Sequence, residues 1–290
     1  MSSLGYQAAP PVVGPAGELS LVAGPAGGRT SPVRTESRGI LRLMKPLYLD
    51  AFGQLTYIVV NPGGAYFGEV CRMEVKVEPG ASLLLASQGA TRIYRTPNEP
   101  AVQVAEFTVG AGARFEYMPE QTIAYRDADY RQITSLVVAE DAQAFIGEIV
   151  TPGWDPDGLP FTYTAMRLRL DVRALGGGLV CSDNVRVVPG DLGEGISGIG
   201  HMEGESHMGS VLVVGPHAAS SGFVDAVRSF VSGSGLARAG VTTGSRHGVS
   251  WLMVRALAGS TDALHTLVHG VNELDRAATT GQGRLHLRRY

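Results

Sequence analysis

The chain has 290 residues, of which 44% are hydrophobic and 18% charged, the balance of an ordinary globular protein. A formal net charge of −3 supplies no strong field for nucleic acid or a membrane surface. No apolar run approaches the ~18 residues of a membrane span and no signal-peptide pattern opens the sequence, so the cytoplasm is the expected compartment. Cys71 and Cys181 form neither a CxxC nor a disulfide framework.

Residues 1–37 are rich in Pro, Gly and Ala, as in AAPPVVGPAG and VAGPAGGRTS, and are expected to be a flexible, dispensable tail. Only Leu19, Leu21 and Val22 offer a short edge strand there. Residues 38–290 read as one domain, a β-body over about 38–216 and a helix-containing part over about 217–290. In the β-body, short runs such as Leu41–Leu43, Leu55–Val60, Met73–Val77 and Leu83–Leu85 alternate with Gly, Pro, Asn and Asp.

Three segments repeat one another: CRMEVKVEPGASLLLAS, QVAEFTVGAGARFEYMP and RQITSLVVAEDAQAFIGE. They align on Ala81, Ala113 and Ala142, about 30 residues apart, the recurrence of stacked β-units. Val75, Phe107 and Leu136 correspond, as do Val77, Val109 and Val138. Beyond the turn, Leu83, Phe115 and Ala144 correspond, then Leu85, Tyr117 and Ile146. A period of two within each unit gives strand, tight turn, strand. A weaker fourth copy surrounds Gly176. The fold class expected is mainly β, a β-helical or layered stack of short-strand units; a run of ordinary meanders is the alternative.

Past residue 216 the period changes. Ala218–Val231 is expected to be a helix, and GVSWLMVRAL a buried strand. Ser260–Ala277 reads as a second helix, with Leu264, Leu267, Val268, Val271 and Leu274 on one face and Ser260 or Thr261 as N-cap.

The sequence lacks the GxxxxGK[ST], GxSxG and HExxH motifs, so no catalytic residues are assigned. All seven histidines lie at or after His201. His201 and His207, with Glu203 and Glu205 between them, are candidate metal ligands, against the plainer reading of a polar Gly-rich turn. His265 and His269 share one face of the second helix and are candidate partner contacts. Acids such as Glu69, Glu106, Glu116, Glu120, Asp127 and Asp129 fall mostly at strand ends or turns, where solvation explains them. Glu148 differs, because it interrupts the apolar run AFIGEIV and needs a partner, a metal or water.

Several longer motifs resemble those of the UreD/UreH urease accessory proteins. Asn61-Pro62-Gly63-Gly64-Ala65-Tyr66-Phe67-Gly68-Glu69 resembles the family hallmark, with Glu69 in place of the usual Asp. PGASLLLASQGATRIYRTP resembles a second block, matching at Gln88, Thr91, Tyr94 and Arg95, with Arg92 where Lys is usual. FEYMPEQTIAYRDADYRQ matches a third at Pro119, Ile123 and Tyr125. GEIVTPGWDPDGLPFTY, GIGHMEGESHMGSVLVV and the terminal LHLRRY match one branch of the family, so the resemblance covers about residues 38–290.

The resemblance implies a non-catalytic scaffold that acts with UreF and the GTPase UreG on apo-urease, with UreE as an indirect nickel donor. It implies GTP-dependent insertion of nickel, which is held transiently, with no permanent cofactor. By analogy with an internal passage in the family, Glu69, Gln88, Thr91 and Glu148 are candidate passage or interface residues. The competing readings are a β-rich metal-dependent enzyme built on His201 and His207, and a purely structural β-solenoid adaptor.

Overall fold

A computed structural model describes residues 15–61 and 65–285. It opens with a hairpin, β1 (Gly17–Ala26) and β2 (Arg29–Gly39). Short strands β3 (Arg42–Leu43) and β4 (Leu47–Tyr48) flank β5 (Leu55–Val60). After β6 (Ala65–Tyr66), one coil comprises β7 (Val70–Val77), β8 (Ser82–Ser87) and β9 (Thr91–Ile93). The next comprises β10 (Ala101–Val109), β11 (Arg114–Met118) and β12 (Thr122–Ala124). β13 (Asp129–Val138) and β14 (Gln143–Val150) make a third coil, completed where Trp154 bridges Tyr125. Then come β15 (Ala165–Ala174), β16 (Leu179–Val187), a helical turn α1 (Pro189–Leu192) and β17 (His207–Val214). Helix α2 (Ser221–Ser234), β18 (Arg238–Arg246), β19 (Val249–Ala258) and helix α3 (Thr261–Thr280) end the fold.

The strands form two large sheets, ordered β16-β15-β13-β10-β7-β1-β2 and β18-β19-β17-β14-β11-β8-β5-β3, with β6, β9 and β12 as a narrow third ribbon. Successive coils stack in parallel, which is the expected β-helical arrangement. The repeat positions read from the sequence are the register partners. Phe107 pairs with both Val75 and Leu136, and Tyr117 with both Leu85 and Ile146. The fourth copy holds only for its first strand, where Val172 pairs with Leu136. Past Ala174, Gly177 at φ 93° turns the chain into an antiparallel hairpin, so β16 stays in the first sheet instead of crossing to the second.

The tail expectation is corrected from Gly17 onward. β1 lies parallel to β7 over Gly17–Ala23, and Leu19, Leu21 and Ala23 are buried in the inter-sheet core. Apolar residues at every second position on one edge of a waiting sheet outweigh a Pro/Gly/Ala-rich composition. Residues 1–14, like Pro62–Gly64 of the hallmark motif, lie outside the described residues.

One core fills the space between the sheets; a second lies between the outer sheet and the two helices, where Phe145, Val211, Leu252, Val227, Leu264 and Val268 meet. The predicted helices are present, with Ser260 as the N-cap of α3, its hydroxyl accepting from the Ala263 amide at 3.3 Å. Glycine lets α3 sit close to the sheet: a Cβ on Gly147 would lie 2.6 Å from Val268 Cγ1.

The last turns of α3 dock through charge. Glu116, inaccessible on β11, accepts from Gln54 Nε2 and Asn272 Nδ2 at 2.8 Å each, from Arg114 Nε at 2.9 Å, and from Arg276. Asp275 takes Arg114 Nη2 at 2.5 Å and His217 Nε2 at 2.7 Å. Glu116 is thus neither at a turn nor solvated. Burial alone would raise its pKa, but the Arg114 and Arg276 guanidiniums, with Gln54 and Asn272, bring it down to about 2.

Candidate functional site

The inter-sheet core carries one polar layer, because Gln103 and Gln132 occupy the same register position on β10 and β13. Both side chains are buried. The Tyr130 hydroxyl lies 3.3 Å from Gln103 Oε1 and 3.2 Å from Gln132 Oε1. Gln132 Nε2 in turn donates to the Glu148 carboxylate on β14. A polar layer is tolerated in an apolar core only when its groups are satisfied or wet.

Three cavities follow this layer. The largest, about 350 Å³, is walled by Asn61, Tyr66, Ser87, Gln88, Thr91, Arg92, Gln103 and Tyr117 among others. It shares Thr91, Gln103, Tyr117 and Pro119 with a second cavity of about 20 Å³, which adds Glu120, Gln132 and Glu148. That cavity shares Glu148, Val150 and Leu168 with a third of about 10 Å³, reaching Arg169, Asp183, Ser210 and Arg255. The two small cavities are each about the size of one water. The series runs from a roomy chamber to a narrow, charged end.

Glu148 is the carboxylate common to both narrow cavities. Burial raises its pKa; the Gln132 hydrogen bond lowers it, the Asp183 charge raises it and Arg255 lowers it. The Tyr117 hydroxyl is pushed above its ordinary range by burial and by the Glu148 charge.

The structure thus brings Gln88, Thr91 and Glu148 to one series of cavities. Glu69 stands apart: its carboxylate closes its own turn by accepting the Phe67 amide, and it walls none of the three. His201 is exposed, and the His207 ring bonds Ser206 Oγ at 2.8 Å. Glu203 and Glu205 each lie 3.7 Å from Arg238 and so are used as ion partners. Among the described residues no group of three His, Cys, Asp or Glu is placed to hold a metal ion.

His265 and His269 are half-buried and stack at 6.1 Å. His265 Nε2 lies 3.0 Å from Glu120 and 3.2 Å from Gln121 Oε1, contacts within the body. Burial lowers the pKa of both, that of His269 to about 4 with help from His265 and Arg284.

Sequence reasoning missed Gln103, Gln132, Asp183 and Arg255. The glutamines were legible: each stands at an inward position of its repeat, where Cys71 stands in the first unit. A polar residue recurring on a core face is the signal.

The fold and its cavities define a β-solenoid whose apolar inter-sheet core is crossed by a polar, cavity-lined layer. A family profile described as "UreD urease accessory protein" matches residues 15–289. Proteins named urease accessory protein UreD share this sequence widely. That of Arthrobacter sp. (strain FB24) is 41% identical over 95% of this chain and 94% of its own. That of Paenarthrobacter aurescens (strain TC1) is 39% identical over 94% and 95%. That of Actinomyces naeslundii is 41% identical over 94% and 98%. The chain belongs to the UreD urease accessory protein family. Its relatives carry the name of accessory proteins rather than of enzymes. Among the described residues no helix is long and apolar enough to cross a membrane.

Proposed function

We propose that this chain is a non-catalytic maturation factor that passes nickel ions through its solenoid toward apo-urease, in a cytoplasmic complex with UreF and the GTPase UreG. GTP hydrolysis by UreG would drive the release of nickel into the chamber, and UreE would supply UreG. Family membership supports the urease connection. The observation that carries the passage is the series of cavities with shared walls, narrowing onto Glu148.

The wall chemistry suits transit better than storage. Amide and hydroxyl oxygens of Gln88, Thr91, Gln103 and Tyr117 interact weakly with a borderline divalent cation. Imidazole or thiolate ligands would bind nickel too tightly to release it quickly. Glu148 supplies negative charge at the point where the ion must shed most water.

The test fills the chamber from Thr91, which borders the two outer cavities. Thr91→Trp, co-expressed with the urease proteins, should still be pulled down with UreF, while the nickel content of urease falls severalfold. Normal nickel in urease would overturn the passage.

A further inference from the structure

At the narrow end of the cavity series stands a guanidinium. Glu148, Ser210 and Arg255 form one row across β14, β17 and β19, because Glu148 pairs with Ser210 and Ser210 with Arg255. Paired residues project from the same face of a sheet. Here that face is turned to the inter-sheet core, as Ile146, Leu212 and Met253 two positions away show. From β16 on the opposite sheet, Asp183 meets Arg255 Nη2 in a salt bridge. Arg255 Nη1 lies 3.6 Å from Met208 Sδ. Glu148, Asp183, Ser210, Met208 and Arg255 all wall the innermost cavity.

Two carboxylates therefore share with Arg255 a space the size of a single water, whose other arginine, Arg169, is paired with Asp171. The guanidinium also has somewhere to go. Next in the same row, on edge strand β18, is Gly240, where an added Cβ would meet no atom within 4 Å. The Arg255 side chain is 32% exposed, so it already borders solvent.

We propose that Arg255 is a tethered counter-cation that plugs the inner end of the passage beside Glu148 and Asp183, and that an arriving divalent cation displaces it toward Gly240. Arg255 and Asp183 are then the residues that discriminate cargo by charge. A monovalent ion exchanges one positive charge for another and forfeits the directed guanidinium hydrogen bond, so it does not open the plug. A divalent ion neutralises both carboxylates, which Arg255 alone does not. The Met208 thioether adds a soft donor that favours a borderline metal over Mg²⁺. This inference rests on the passage reading.

The test is a titration of the full chain, purified in complex with its accessory partners, with nickel chloride. In Arg255→Met the ion no longer competes with a guanidinium, so nickel should bind about tenfold tighter. Adding Asp183→Asn to Arg255→Met should abolish that gain. Arg255→Lys, which keeps the charge without the fork and spares the fold, should fall between. A bridge that merely ties β16 to β19 predicts a lower melting temperature in Arg255→Met with unchanged nickel affinity, and that result would overturn the plug. Should Arg255→Met not fold, unchanged affinity in Arg255→Lys would do the same. Thr91→Trp separates the two ideas. If it blocks nickel loading while the Arg255 variants bind nickel as the wild type does, only the plug fails. If it loads nickel normally, the passage fails and the plug with it.

Discussion

Arg276 on α3 donates to Glu116 on β11, 160 residues away in sequence, and both side chains are wholly shut off from solvent. The pair joins the last helix to the solenoid. Around it, Gln54, Asn272 and Arg114 satisfy the remaining lone pairs of the carboxylate. A buried ion pair is costly to break from one side, because the other charge is stranded.

Arg276→Met is therefore expected to destabilise the fold by about 3–5 kcal/mol, read as a lower urea midpoint with an unchanged slope. Glu116→Gln together with Arg276→Met should recover part of that loss. A loss below about 1 kcal/mol in the single variant would show that Arg114, which still bridges Glu116 at 2.9 Å, is enough to hold the buried acid.

Acid should loosen the helices in two steps. His269 has its pKa lowered to about 4 from 6.5, so between those values the unfolded chain binds a proton that the folded one does not. Stability then falls as pH drops through that window. Glu116, lowered to about 2 from 4.5, contributes stability that is complete above pH 4.5 and is lost as pH falls toward 2. Thermal melts at successive pH values check both, and His269→Ala should flatten the upper step alone.

Glu148 has the opposite sign. Its raised pKa means that the folded chain holds its proton to higher pH than the unfolded chain, so the ionised acid costs stability at neutral pH. Glu148→Gln should raise the melting temperature at pH 7, and the gain should vanish in acid, where Glu148 is itself neutral. The same variant should load less nickel into urease. A fall in melting temperature would mean that Arg255 depends on Glu148 more than on Asp183.

Deleting residues 1–40 removes β1 and bares the β7 edge, with Met73 and Val75 behind it. That truncation should aggregate or melt well below the full chain, contrary to the dispensable tail expected from composition. A soluble truncation with an unchanged melting curve would restore the tail reading.

Gly147→Leu should push α3 off the sheet, since the added side chain has Val268 in its way at 2.6 Å. Loss of about 2–4 kcal/mol in urea unfolding is expected, while Gly240→Ala, in open space, should cost little.

The repeat was legible because parallel stacking keeps equivalent residues in register, so Val75, Phe107 and Leu136 report one row of the core. The fourth unit deceived because its first strand obeys the same rule, and only the Gly176-Gly177-Gly178 turn diverts the second. β1 is hidden by its Pro/Gly/Ala-rich composition, and only the alternation of Leu19, Leu21 and Ala23 marks it as a core strand. Thr91 and Glu148 were found from a motif and from a break in an apolar run. Asp183 and Arg255 carry no such mark. They are polar residues of strands whose neighbours also carry charge, and they meet only because a hairpin of one sheet folds over a late strand of the other.

The parallel pairing of β1 with β7 also governs how the chain folds. Its register joins Gly17 to Cys71, so β1 has only its hairpin partner β2 beside it until β7 has been made. Until that long loop closes, Leu19 and Leu21 lack their core and β7 presents a bare hydrogen-bonding edge to any other chain. Yield on overproduction should accordingly follow the rate of this closure more than the strength of the finished fold, rising at low temperature and low expression rate, where fewer open edges coexist.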